Sequence, residues 1–362
     1  MCDILSNSSS LIFVFFSVSI CAIFIFNTMD EKQAIFDYRL VEEEKKILSV
    51  IPSYKSEFVP IETSFGTDEK IWTISVNTES PKTPIVLLHG FVASVGFWCL
   101  NFEALSRDRP LYAIDLLGFG RSSRPHFSTD NLEAEKQMIE AIEAWRKQMK
   151  IEKMILLGHS MGAYLSGLYS MDYPERIQHL ILADQWGYTD KYEDPPLILR
   201  ILTLIFYKFN PVGFVRSMGH SWGPYFLQKT RRDIFGKIGD RLNDPSILPT
   251  YFYYCNAAKE PTGEKAFFSM VLGVGWAKCP LIKRIHKLDK KISITFLYGS
   301  HTWLDSEIGP RVKEMRPDSF VEVHEVENSG HHIYSENADQ FNEYVLKACQ
   351  YADQKDSSLK PQ

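Results

Sequence analysis

A serine between two glycines is the residue of this sequence whose surroundings most clearly suggest chemistry. Ser160 stands two residues after Gly158 and two residues before Gly162, in the stretch LLGHSMGAYLS. The apolar run MILL directly precedes Gly158, and a helix-like segment follows Gly162. A serine on a sharp turn from a strand into a helix is presented at the top of a sheet, and the close approach of strand and helix requires glycine at both flanking positions. The pattern therefore predicts a nucleophile elbow.

A serine hydroxyl becomes an effective nucleophile when a histidine accepts its proton and a carboxylate holds that histidine. In this kind of architecture the acid follows the serine along the chain, and the histidine follows the acid. Asp305 comes after the apolar run ITFLYGS, and His331 and His332 come after the last apolar run, FVEVHEV. We predict Asp305 as the acid, with Asp184 at the end of HLILAD and Glu307 as alternatives.

Acyl transfer also needs donors that stabilise a developing oxyanion. We expect the backbone N–H of Met161, directly after the serine, to be one donor. The other is expected to be the N–H of Phe91 in LLHGF, in a turn that Gly90 permits. We predict no metal site, because the histidines and the acid lack further ligands at convincing spacing. No cofactor is expected either, since no phosphate-loop or dinucleotide fingerprint occurs.

The elements that would position these residues are short apolar runs separated by helical patterns. KIWTISV, PIVLLHG, MILLGHS and ISITFLYGS are typical strands, and several are apolar without alternation, as strands buried on both faces are. The clearest helical pattern covers residues 128–150. This alternation predicts an α/β fold with a mostly parallel central sheet and helices on both faces.

The regular alternation stops over residues 187–288, which are rich in aromatic residues and proline. We predict that this block is a helical cap, inserted between the sixth and seventh strands and lying over the carboxyl edge of the sheet, where open α/β sheets bind ligands. Residues 196–209 are predicted to form a helix that is apolar nearly all round. The core would then comprise residues 67–186 and 289–351.

The ends of the chain have a different character from the core. Residues 11–26 are almost wholly apolar and uncharged but shorter than the ~20 residues of a typical membrane span. No basic residue precedes this run and no small-x-small motif follows it, which favours an uncleaved anchor within residues 1–30 over a cleaved signal peptide. Residues 31–66 are predicted to be a charged helical connector, and residues 352–362 a disordered tail.

Composition excludes several classes of protein. The 362 residues are 45% hydrophobic and 23% charged, as expected for a globular protein. A net charge of -5 argues against nucleic acid as a partner. The six cysteines are widely spaced without a C-x-x-C pair, so we expect reduced thiols and no zinc framework.

The motifs together carry a resemblance to a known family. KTPIVLLHGF, KMILLGHSMGAYLSGLYSMDYPERIQHLIL and GHHIYSENADQFN resemble the α/β-hydrolase superfamily, and most closely its subfamily of α/β-hydrolase domain-containing proteins 4 and 5, over residues 47–351. The resemblance implies an α/β-hydrolase fold with a triad of Ser160, Asp305 and His331. The family motif H-x-x-x-x-D identifies His331 rather than His332. Glu336 occupies its acidic position, a departure that weakens the expectation of acyltransferase activity.

Two functions follow from this resemblance, both in lipid metabolism. The first is a serine hydrolase that cleaves acyl esters of (lyso)phospholipids, N-acyl phosphatidylethanolamines or acylglycerols. The alternative is a co-activator of a triglyceride lipase on lipid droplets, whose vertebrate members carry asparagine at the nucleophile position. Ser160 favours the enzyme. A peptidase or an esterase of small substrates stays open as a third hypothesis.

Either lipid function implies a lipid substrate and a membrane or lipid-droplet surface, and the alternative adds a triglyceride lipase as partner. We expect the protein to be associated with one of these surfaces, with its catalytic domain in the cytosol.

Overall fold

The computed structural model describes residues 34–190, 210–257, 259–273 and 275–359. The predicted anchor at residues 11–26 and the predicted apolar helix at residues 196–209 lie outside the described residues. Across the described ranges, no helix is both long enough and apolar enough to cross a membrane.

An eight-stranded sheet forms the centre of the fold. Its strands are β1 (Lys55–Thr63), β2 (Gly66–Val76), β3 (Ile85–Leu88), β4 (Leu111–Ile114), β5 (Met154–His159), β6 (Ile177–Ala183), β9 (Ser293–Gly299) and β10 (Val321–Val326), in the order β1-β2-β4-β3-β5-β6-β9-β10. β2 pairs antiparallel with β1 and β4, and every other pair in this sheet is parallel. The predicted mostly parallel sheet is confirmed.

Helices cover both faces of this sheet. They are α1 (residues 34–48), α2 (Phe102–Leu105), α3 (Asn131–Gln148), α4 (Met161–Asp172), α5 (Pro211–Ser217), α6 (Gly219–Thr230), α7 (Arg232–Leu242), α8 (Ile247–Phe252), α9 (Thr262–Met270), α10 (Ile308–Met315), α11 (Ile333–Glu336) and α12 (Ala338–Leu359). Leu156 of β5 belongs to one hydrophobic core, whereas its neighbours Ile155 and Leu157 belong to the other. Because successive side chains of a strand point to opposite faces, the sheet separates two cores.

The predicted cap lies where the chain leaves the sheet between β6 and β9, the sixth and seventh strands of this sheet. Its described part contains helices α5 to α9 and a small hairpin of β7 (Val271–Leu272) and β8 (Trp276–Ala277). Helix α8 continues into a π-helical turn at Tyr253–Ala257. The helical character of this insertion agrees with the sequence prediction.

The predicted connector at residues 31–66 is only partly helical. Helix α1 ends at residue 48, and β1 follows it as the outermost strand of the main sheet. Only Val59 and Ile61 of β1 are buried. An edge strand with so few apolar positions has a weak sequence signal, and its assignment to a helical connector was wrong.

The predicted disordered tail was also wrong for most of its length, because α12 continues to Leu359. Ala352 is buried, and its carbonyl accepts a hydrogen bond from the Gln178 side chain at 3.0 Å. The guanidinium of Arg109, whose side chain is only 1% exposed, donates to both carboxylate oxygens of Asp353 at 3.2 and 2.7 Å. These partners are distant in sequence, so the polar composition of residues 352–359 gave no sign of them.

The Arg109–Asp353 pair provides a test of this docking. Asp353→Ala removes the carboxylate that the buried guanidinium binds through two nitrogens and leaves it the longer 3.4 Å pair with Asp108, so we expect the free energy of unfolding to fall by about 2 kcal/mol. Chemical denaturation measures the change. Asp318→Ala is the control, because the Asp318–Lys290 pair is largely exposed and should contribute little. If the two substitutions lower the free energy of unfolding equally, the Arg109–Asp353 pair does not hold the end of α12 against the core.

Candidate active site

Ser160 lies on the turn between β5 and α4 in a strained backbone conformation, with φ 53° and ψ -116°. Positive φ is uncommon for residues other than glycine. A Cβ atom at Gly158 would lie 2.3 Å from the carbonyl oxygen of Gly162, and one at Gly162 would lie 2.3 Å from the carbonyl oxygen of Leu88. Both positions therefore exclude any side chain, which is the physical reason for the glycine spacing around the serine.

His331 reaches this serine from the loop between β10 and α11. Its Nε2 atom lies 3.0 Å from the hydroxyl oxygen of Ser160. The serine is buried, with 7% of its surface exposed, and lies in the wall of a cavity. The structure thus brings together the predicted nucleophile and the predicted base at hydrogen-bond distance.

The carboxylate beside His331 belongs to Asp184, which directly follows β6. Its Oδ2 atom lies 2.5 Å from Nδ1 of the imidazole. The Thr302 hydroxyl donates to the same oxygen at 2.7 Å, and the N–H of Gly299 donates to the other at 3.3 Å. Asp184 is fully buried. A carboxylate in this place holds the proton on Nδ1, which leaves Nε2 free to accept the proton of the serine.

The predicted acid, Asp305, does not contact His331. Its carboxylate accepts the backbone N–H of Glu307 at 3.1 Å, just before α10, so it stabilises a turn. The prediction of Asp305 as the acid was therefore wrong, and the alternative, Asp184, lies beside His331 instead. β6 is the neighbour of β5 in the sheet, so a residue at the end of β6 emerges beside the serine. The placement of Asp184 at the end of the apolar run HLILAD was the available signal.

The two predicted oxyanion donors are Met161, which directly follows the serine, and Phe91, which lines the same cavity. Met161 is the first residue of α4, where backbone N–H groups have no partner within a helix. Phe91 lines the same cavity as the serine, and its ring stacks on Phe267 with centroids 4.2 Å apart. The N-terminus of α4 also contributes the positive end of a helix dipole. Their role as donors stays a prediction.

Two other histidines near the site remain neutral. Burial lowers the pKa of His89 to about 4, and its Nε2 accepts the N–H of Leu116 at 2.9 Å. Burial lowers the pKa of His159 well below its ordinary value, and the neighbouring His331 and His332 lower it further. A histidine that stays neutral in this way is poorly suited to cycle a proton near neutral pH.

A cavity of about 900 Å³ extends from the serine into the cap. Most of its wall is apolar, and the cap residues that form it include Val212, Val215, Leu227, Ile234, Phe235, Phe252, Phe267, Phe268 and Val271. Trp303 also lines it, 65% exposed and with its ring 5.5 Å from that of His331. Concave apolar cavities with a few convergent polar groups are typical ligand sites.

Comparison with known proteins agrees with this geometry. Residues 83–338 match the family described as "alpha/beta hydrolase fold", and the chain belongs to that family. It is 41% identical over 322 residues to a (lyso)-N-acylphosphatidylethanolamine lipase of Mus musculus, covering 87% of this chain and 92% of the relative. It is 40% identical to the 1-acylglycerol-3-phosphate O-acyltransferase ABHD5 of the same organism, covering 87% and 90%. The predicted resemblance is confirmed.

Solved structures support the fold. Naproxen esterase from Bacillus subtilis superimposes with a TM-score of 0.61 at 18% identity, over 86% of this chain and 96% of the esterase. A bacterial membrane phospholipase A gives a TM-score of 0.60 at 18% identity, over 94% and 98%.

The choice between the two acids can be tested directly. We expect Asp184→Asn to slow covalent labelling of Ser160 by a fluorophosphonate by about 10³- to 10⁴-fold, because an amide no longer holds the productive imidazole tautomer. Asp305→Asn, the matched control, should change the rate by less than a few-fold. The labelling rate and the labelled peptide are measured by mass spectrometry. The opposite ranking would restore Asp305 as the acid.

Proposed function

We propose that this protein is a serine hydrolase that cleaves acyl esters of lipids, with (lyso)phospholipids and N-acyl phosphatidylethanolamines as the favoured substrates. The observation that carries the proposal is the hydrogen-bonded series of Ser160, His331 and Asp184 at the wall of a mostly apolar cavity. The 41% identity to the mouse lipase supports the substrate class.

In the proposed mechanism the Ser160 hydroxyl oxygen attacks the acyl carbonyl while Nε2 of His331 takes its proton. Asp184 keeps Nδ1 protonated and stabilises the imidazolium that forms. Backbone N–H groups of Met161 and Phe91 stabilise the oxyanion. The imidazolium then gives its proton to the leaving alcohol, and an acyl-serine remains. Water attacks this ester with His331 again as base, which releases the fatty acid and restores the serine.

The cavity supports a lipid rather than a small polar substrate. Each CH₂ group moved from water into an apolar wall contributes about 0.8 kcal/mol, so a long acyl chain gains substantial binding energy here. A cavity wall built largely from Val, Leu, Ile and Phe side chains offers few partners to a peptide backbone. The same wall therefore argues against a peptidase.

The cavity opening also suits a lipid surface. Phe268 and Trp303 line the cavity while remaining 40% and 65% exposed, and Leu272 of the adjacent hairpin is 40% exposed. Exposed large apolar side chains grouped beside a binding site are typical of protein or membrane contacts. We propose that these three residues contact the membrane or droplet from which the acyl chain enters.

The alternative function, activation of a separate triglyceride lipase, is supported by the 40% identity to ABHD5. The intact hydrogen-bonded series around Ser160 favours the enzyme, because an adaptor has no need of a nucleophile. Such an adaptor would use the same apolar rim to reach a droplet.

The principal test replaces the nucleophile. We expect Ser160→Ala to abolish hydrolysis of long-chain lysophospholipid by purified protein, since Ser160 carries the hydroxyl that lies 3.0 Å from Nε2 of His331. Fatty-acid release is measured by mass spectrometry. Ser217→Ala is the control, because Ser217 is exposed on α5 and its hydroxyl donates to the carbonyl of Phe214. Unchanged release by Ser160→Ala would refute the enzyme and favour the adaptor.

A second test concerns the rim. We expect Leu272→Ser to weaken binding to phosphatidylcholine vesicles about fivefold, because removing a half-exposed leucine from a lipid contact costs about 1 kcal/mol. Vesicle flotation measures the binding. Leu132→Ser is the matched control, since Leu132 is 56% exposed on α3 and does not line the cavity. If the two variants bind vesicles equally, the rim is not the contact surface.

A further inference from the structure

The backbone around His331 is held by a single carboxylate. Oε2 of Glu336 accepts the N–H of Gly330 at 2.8 Å, and Oε1 accepts the N–H of His332 at 3.0 Å. The backbone N–H groups of the residues directly before and after the proposed base therefore bind the same side chain. Helix α11 makes this possible, because its single turn brings Glu336 back over the loop, and its own N–H bonds the carbonyl of His332 at 2.9 Å.

A second side chain holds the carbonyl of the same residue. Nε2 of His159 lies 2.8 Å from the backbone oxygen of His331. A carbonyl oxygen only accepts, so Nε2 of His159 carries the hydrogen and the ring is a neutral donor. Nδ1 of His159 is buried without a hydrogen-bond partner among the described residues, packed against Gly90. Among the described residues, the His159 ring therefore makes one hydrogen bond, to the carbonyl of His331.

We propose that Glu336 and His159 are positioning residues, which together clamp the backbone of residues 330–332 through the N–H groups of Gly330 and His332 and the carbonyl of His331, so that the His331 ring stays between Ser160 and Asp184. This inference rests on the proposed hydrolase function. It assigns a role to the glutamate that stands in the acidic position of the family motif: its two oxygens bind backbone amides instead of taking part in proton transfer.

The clamp matters because the imidazole has to satisfy two distances at once, 3.0 Å to the serine oxygen and 2.5 Å to the aspartate oxygen. A displacement of about 1 Å in a catalytic group can reduce a rate about 100-fold. Neither Glu336 nor His159 is one of the three hydrogen-bonded residues Ser160, His331 and Asp184. Both act through the backbone of His331 and also line the cavity, so removing either should impair the chemical step more than substrate binding.

The experiment uses the full chain with four substitutions. Glu336→Gln keeps the size but offers one acceptor oxygen for two amides, and Glu336→Ala removes both. His159→Gln can still donate from a nitrogen at the position of Nε2, whereas His159→Leu cannot. Asp339→Asn is the control, because Asp339 is an exposed carboxylate three residues further along, in the first turn of α12.

We expect Glu336→Ala and His159→Leu to lower kcat for a short-chain ester 10- to 100-fold with KM changed less than twofold. The rate of fluorophosphonate labelling should fall by the same factor. Glu336→Gln should retain more activity than Glu336→Ala, and His159→Gln should retain more activity than His159→Leu. Asp339→Asn should behave as the parent protein.

A purely structural role predicts a different outcome. Activity would then fall only as the melting temperature falls, and would recover fully at a temperature where the variant is folded. That result, or labelling rates equal to the parent's, overturns the inference. Proton NMR provides a readout apart from activity, because the His331 Nδ1–H beside Asp184 should give a low-field signal that broadens or is lost in Glu336→Ala. If the parent protein shows this NMR signal but is never labelled at Ser160, the proposed hydrolase function is refuted. The positioning role of Glu336 and His159 can then still be tested by the NMR signal alone.

Discussion

The close approach of β5 and α4 across Ser160 is the constraint on which the rest of the site depends. β5 and α4 are so near that the carbonyl of Gly162 occupies the space a side chain would need at Gly158, and the carbonyl of Leu88 at the end of β3 occupies the space it would need at Gly162. The serine backbone is held in a sparsely populated conformation as a result, with its N–H bonded to the carbonyl of Ala183 at 3.0 Å. Strain of this kind persists only where the surroundings over-determine it. Here the buried sheet on one side and α4 on the other hold the backbone of Ser160 in this conformation.

Sheet order then determines which residues can meet the serine. β6 lies beside β5, and β9 and β10 follow it, so the loops after these strands converge on one edge. Asp184 directly follows β6, and it accepts hydrogen bonds from Gly299 at the end of β9 and from Thr302 in the loop after β9. His331 lies in the loop after β10. Three consecutive neighbours in the sheet thus supply the acid, its donors and the base. Burial keeps His89 and His159 neutral, whereas Nε2 of His331 lies at hydrogen-bond distance from the serine hydroxyl, where it can exchange a proton with it.

Local patterns in the sequence were sufficient for some of these features and not for others. The glycine spacing around Ser160 and the continuous apolar runs are direct consequences of local sterics and burial, so the fold and the turn were predictable. The choice between Asp184 and Asp305 depends on the path of the loop after β9, which turns Asp305 away to bond Glu307. The edge strand β1 and the end of α12 are specified by partners far along the chain, which no local window contains. Glu336 was noticed only as a departure from a motif, because its bonds to backbone amides have no compositional signature.

The position of α12 has a consequence for how the molecule is made. Phe341, Val345 and Ala348 of this helix lie buried in the core on one face of the sheet. These residues follow every strand of the main sheet along the chain, so during synthesis part of that face stays uncovered until this helix has emerged. Exposed apolar strands are prone to aggregate at this stage. The nascent protein therefore passes through an interval in which all strands of the sheet have emerged and the helix that covers part of one face has not, and chaperones would be needed most during that interval.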